Sequence, residues 1–180
     1  IYNQELLIEI TSEKNLKKLA SKYDYRKNIL LNLGNFYMTN SYRGMNWFKE
    51  LKPLYYLSEY LNPNFLKTHT DLSNKENIVA YNPKKGIEYT NKIIRFANNN
   101  ITFIPIINMN RDDVIKTLQR AKVYIDFGNH PGKDRMPREA AILGCCVITG
   151  TRGSAAFYED VPIPEEYKIE DKEENIPIII

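Results

Sequence analysis

Excess charge of one sign, spaced cysteines and long apolar runs are all missing from this chain, and each absence removes a class of function. The 25 lysines and arginines are nearly matched by 22 aspartates and glutamates, for a formal charge of +3 over 180 residues. No single-sign field of the kind that holds a nucleic-acid backbone follows from that balance, so nucleic acid is not an expected partner and any basic function is local. The only cysteines, Cys145 and Cys146, are adjacent inside an apolar, strand-like run. Neighbours cannot form a disulfide framework or the spaced ligand pairs of a zinc site, and they read as small buried hydrophobes. No apolar stretch reaches the roughly 20 residues of a membrane-spanning helix, and no charged segment with a hydrophobic signal core opens the chain. A cytoplasmic protein without a transmembrane segment is the expectation. Repeats and low-complexity tracts are missing too. The chain opens on Ile1 and stops at Ile180 straight after an apolar run, and reads as a piece of something longer.

What is present is an alternation of strands and helices from Asn77 onward. Ile78 to Tyr81, Ile101 to Ile107, Val123 to Ile125 and Cys145 to Thr149 are continuously apolar and predict strands. Between them, Gly86 to Asn98, Arg111 to Ala121 and Asp134 to Leu143 carry apolar residues at helical spacing. Such an order predicts a Rossmann-like, doubly wound α/β domain with a mainly parallel sheet, whose strands are apolar on both faces because helices cover both. Upstream, Glu5 to Lys22 reads as mostly helical, Asn28 to Leu33 as a short strand, Tyr42 to Leu51 as a helix packing Trp47 and Phe48 inward, and Leu54 to Ser58 as a strand. The polar stretch from Lys67 to Glu76 marks a boundary, giving residues 1–76 as a partial α/β segment and residues 77–180 as the main domain.

In a doubly wound sheet the ligand lies beyond the carboxyl ends of the strands. The loops to inspect are therefore Asn82 to Gly86, Asn108 to Asn110, Gly128 to Lys133 and Gly150 to Ala155. Lys84 and Lys85 precede a glycine at a helix start, which suits a phosphate, although for the motif alone a solvated lysine pair is the commoner case. Lys133 and Arg135, beside Gly132, could grip a diphosphate. Asp134 is placed to cap the following helix, and His130 could donate to a phosphate or sugar oxygen or simply sit at the surface. On that helix Met136, Ala140 and Leu143 share one face and leave Glu139 free to accept from a ligand's hydroxyl pair. Gly153 and Ser154, flanking the last strand's loop, could form a backbone nest for an anion. No strand is followed by G-x-G-x-x-G, which argues against a dinucleotide oxidoreductase.

The segment PREAAILGCCVITGTRGSA, with YNPKKG at Tyr81 to Gly86 and FIPIINMNRDDVIKTLQRAKVYIDF at Phe103 to Phe127, resembles the donor-binding half of GT-B glycosyltransferases of the bacterial surface-polysaccharide type. The resemblance covers Asn77 to Tyr158. It implies an enzyme that transfers a sugar from a nucleoside-diphosphate donor to a saccharide or lipid-linked acceptor, with no cofactor and no metal. It implies donor diphosphate ligands among Lys84, Lys85, Lys133, Arg135, Gly153 and Ser154, a ribose ligand in Glu139, and backbone contacts to the base from Ile106, Ile107, Asn108 and Met109. Sugar contacts fall to His130 or Asp134, because Pro131 stands where many retaining members carry a second glutamate. Residues 1–76 would then close an acceptor-side domain, and the catalytic base is not identified. The alternative is a non-catalytic nucleotide-binding or protein-interaction module on the same sheet edge.

Overall fold

The computed structural model describes residues 36–50 and 53–180. The helix expected over Glu5 to Lys22 and the strand expected over Asn28 to Leu33 lie outside the described residues. Two short strands, β1 (Tyr37–Thr39) and β2 (Leu54–Tyr56), pair in parallel across helix α1 (Tyr42–Trp47). Ser41 caps α1 by accepting from the Gly44 amide, and buried Asp160 accepts from the amides of Tyr42 and Arg43 at 2.7 and 3.1 Å. A carboxylate on free amides at a helix start is favourable for both hydrogen bonding and the helix dipole. The helix meets β1 through Gly44, where a Cβ would lie 1.9 Å from Thr39 Oγ1. It ends three residues later, past that contact, so Trp47 is exposed rather than packed inward as expected. Helix α2 (Pro63–Lys67) is capped by Asn62, begins on a proline and sends Phe65 into the main core.

The main sheet holds β3 (Glu76–Tyr81), β4 (Thr102–Pro105), β5 (Ala121–Asp126) and β6 (Cys146–Thr149) in the order β4-β3-β5-β6, all parallel. Helix α3 (Ile87–Phe96) covers one face, where Tyr89 and Ile93 meet Ile125, Phe127, Ile148 and Ile169. A short terminal helix, α6 (Ile176–Ile179), adds Ile176 to that face. Helices α4 (Arg111–Arg120) and α5 (Arg135–Ile142) cover the other, where Ile115, Leu118, Ala140 and Leu143 meet Tyr124 and Val147. Tyr124 and Ile125 thus serve opposite cores from adjacent positions, which is why the strands read as unbroken apolar runs. Full burial of Leu118, Leu143 and Ile93 contributes roughly 1.5–3 kcal/mol each. The fold is the expected Rossmann-like, doubly wound α/β arrangement.

Two details differ from the sequence reading. Cys145 is buried, but Cys146 is exposed, because it opens the edge strand β6 with its side chain turned outward. Lys75, inside the polar stretch, reaches back under the sheet: its Nζ donates to the carbonyls of Leu118, Ala121 and Leu143 at 2.8, 2.8 and 2.6 Å. Those carbonyls terminate α4 and α5, where partial negative charge accumulates.

The chain lays β4 on one side of β3 and then crosses to lay β5 on the other. The loops after β3 and β5 therefore diverge at the carboxyl edge, which is where this fold opens a crevice.

Candidate functional site

Glycine lets three loops close on one another at that crevice. Gly86 sits in the left-handed region at φ 55°, and a Cβ there would lie 2.2 Å from the Phe127 carbonyl oxygen. Gly128 faces it in turn, its Cβ position 2.7 Å from Gly86 N. The β3 and β5 loops thus touch backbone to backbone, as only glycine permits. Gly86→Ala is expected to lower stability by about 1–3 kcal/mol, read as a drop in the urea midpoint. An unchanged midpoint would mean that the two loops separate freely. The loop after β6 joins through His130, whose amide donates to Arg152 O at 3.3 Å and whose carbonyl accepts from Ser154 N at 2.9 Å. The loop after β4 has Asn108 at φ 54° and Asn110 capping α4. Ile106 extends the ladder by donating to Tyr81 O at 2.8 Å, while Ile107 and Asn108 are exposed and Met109 is half-buried.

His130 is fully buried, not a surface histidine. Its Nε2 lies 3.1 Å from Asp126 O and its Nδ1 2.7 Å from Asp134 Oδ2. A carbonyl and a carboxylate at the two ring nitrogens both favour the charged ring, and the Nδ1–Asp134 approach is an ion-pair contact rather than an aligned hydrogen bond. Burial alone lowers the pKa of His130, but its contact with Asp134 and the charge of Asp126 outweigh burial and hold it above the usual value. Asp134 also pairs with Lys85. Burial pushes Asp134 upward, yet His130 and Lys85 hold it below the ordinary carboxylate range. Asp134 is the residue before α5, but its side chain makes no cap, since His130 and Lys85 take it. Asp126 accepts from Tyr124 Oη at 2.9 Å and leaves Oδ1 buried without a hydrogen bond, 3.9 Å from His130 Nε2. Burial raises its pKa against the pull of His130, Lys85 and Tyr124.

These contacts bring two carboxylates and a histidine together at the edge. Asp126, His130 and Asp134 have ligand atoms within 4.8 Å of one another. Their types could serve a cation, although Lys85 already pairs with Asp134. The regular spacing of Asp126, His130 and Asp134, four residues apart, was the available signal, and only two of the three were singled out.

Glu139 is buried on α5, 8% exposed, and no hydrogen bond or ion pair is found for its carboxylate among the described residues. Burial raises its pKa, and Arg135, Arg138 and Arg111 oppose the rise. Of the other residues read from the sequence, Lys84 is exposed and Ser154 is buried with its hydroxyl unpartnered. Lys133 donates to Glu159 O at 2.7 Å and lies 5.5 Å from the Tyr56 ring centre. Arg135 faces Glu59 at 3.6 Å. Gly153, at φ 71°, is a packing glycine: a Cβ there would lie 2.2 Å from His130 O.

No family model, curated protein or solved structure matches the chain. Among the described residues no helix is long and apolar enough to cross a membrane.

Proposed function

We propose that this chain is the donor-binding part of a GT-B-like glycosyltransferase, which holds a nucleoside-diphosphate sugar and passes the sugar to a saccharide or lipid-linked acceptor. The observation that carries the reading is Glu139, a largely buried residue of α5 whose carboxylate makes no hydrogen bond or ion pair among the described residues. Its oxygens are free to accept from a ligand, and a ribose diol supplies two donors side by side. The exposed loop of Ile107 and Asn108 leaves backbone groups for a base, and on this reading residues 1–76 would close the acceptor side.

Glu139→Gln is expected to weaken uridine and guanosine binding at least tenfold by calorimetry, with the circular dichroism spectrum unchanged. Because burial raises the pKa of Glu139, wild-type binding should fall with decreasing pH earlier than for an ordinary glutamate, and the fall should vanish in the glutamine variant. Equal nucleoside affinity in both proteins removes the reading.

A non-catalytic nucleotide-binding module is the second reading. Lys85 and Lys133 are engaged within the chain, and no carboxylate at Pro131 faces a sugar. Sugar transfer or donor hydrolysis by the protein with residues 36–76 intact separates the two.

A further inference from the structure

We propose that Asp126, His130 and Asp134 form a site for a divalent transition-metal ion of the zinc or manganese type, which takes the place that the Lys85 ammonium holds on Asp134. Such a site is independent of the nucleotide reading and of Glu139. Each of the three residues offers one ligand atom, and those atoms lie within 4.8 Å of one another. Ligand atoms about 2.1 Å from a zinc ion stand roughly 3.4 Å apart in a tetrahedron and about 4.2 Å apart across the ion. A carboxylate swing of about 1 Å or less therefore closes the cluster on an ion.

The histidine is already oriented as a ligand. Its Nε2 lies 3.1 Å from Asp126 O, the outer contact that fixes the ring of a metal-bound histidine and turns the other nitrogen toward the ion. That other nitrogen, Nδ1, makes no hydrogen bond in a fully buried ring, although Asp134 Oδ2 is 2.7 Å away. An ion about 2.1 Å from both atoms would see them about 80° apart, close to the right angle of octahedral coordination. Apart from the ring, Asp126 is 1% exposed, and its Oδ1 accepts no hydrogen bond. A buried carboxylate oxygen without a donor is unfavourable unless a cation faces it. Thr149, in register with Asp126 on β6 and so on the same face, is fully buried, and its Oγ1 makes no hydrogen bond either. One imidazole with two carboxylates suits zinc or manganese better than magnesium or calcium, which take oxygen ligands. A ligating nitrogen carries no proton, so the ion replaces the Nδ1 proton together with the ammonium. Bound there, it ties the end of β5 to the start of α5.

The test is calorimetry of the protein, stripped with a chelator, against zinc, manganese and magnesium chlorides. Zinc and manganese should bind at one per chain, zinc the tighter, and magnesium at least tenfold more weakly than manganese. Asp126→Asn, His130→Asn and Asp134→Asn should each weaken zinc at least tenfold. Lys85→Met, which removes the competing ammonium and keeps the stem, should tighten zinc at least threefold, and Cys146→Ser, at an exposed thiol, should stay within twofold. Asp134 and Lys85 are partly exposed, so their variants decide the matter where circular dichroism shows that a variant at a fully buried position has not folded. Zinc binding that is lost in Cys146→Ser, or that stays within twofold in Asp134→Asn, would overturn the site. So would a wild type that binds neither zinc nor manganese at millimolar ion. Equal zinc affinity in Lys85→Met and the wild type would overturn the exchange with the ammonium.

Discussion

Replacing Lys75 with methionine is expected to lower the unfolding free energy by about 3 kcal/mol, the largest effect of any exchange outside the crevice. The Lys75 ammonium satisfies three carbonyls, Leu118, Ala121 and Leu143, at 2.8 Å or less. Each carbonyl stands at the negative end of α4 or α5, so each bond is charge-assisted. Methionine keeps most of the aliphatic stem and removes all three donors, leaving those acceptors to water or to the weak thiol of Cys145, which already donates to Leu118 O and Ala121 O at 3.2 and 3.3 Å. Lys122→Met is the control, because that lysine is exposed and donates once, to Asn77 Oδ1 at 2.7 Å. The control should change stability by about 0.5 kcal/mol or less. Urea unfolding of the three proteins decides the matter: equal midpoints for the two variants would mean that water replaces the ammonium without loss.

Lys75 also shows where sequence reading stops. The four strands and three helices after Glu76 were legible to within a few residues, because continuous apolar runs and helical spacing are local signals that follow from burial on two faces. The strand order was not, since nothing in the spacing says on which side of β3 the chain lays β4. Lys75 sat in a stretch with no apolar pattern, and its partners are carbonyls that every residue carries, so no residue type announced the contact. Glu139 was legible as a residue and even as an acceptor, but its burial depends on tertiary packing around α5 that helical spacing does not show. His130 was misjudged for a related reason. A histidine between asparagine and proline in a glycine-containing stretch looks like a surface loop, until the loop after β6 closes on it through Gly153.

That closure makes His130 the second residue with a large expected effect. His130→Asn should lower stability by about 2–4 kcal/mol, since it removes the partner that Asp134 and the Asp126 carbonyl share in a buried place. The sign of the pH dependence separates an imidazolium from a neutral filler. The folded-state pKa of His130 is raised above its unfolded value, despite burial, by Asp134 and Asp126 and against the charge of Lys85. A raised pKa adds stability that is fully present below the unfolded value of about 6.5 and is lost as pH rises through the folded value. Asp134 works in the opposite direction and in an acid window: its lowered pKa gives stability above the unfolded value of about 3.9, lost as pH falls. Urea unfolding between pH 6 and pH 9 therefore isolates the histidine. The wild type should lose stability across that range relative to His130→Asn, so that the gap between them is widest at pH 6 and narrows toward pH 9. Parallel curves would mean that the ring is uncharged throughout and only fills space; in that case Lys85 alone holds Asp134, and the crevice keeps its shape without an imidazolium at its centre.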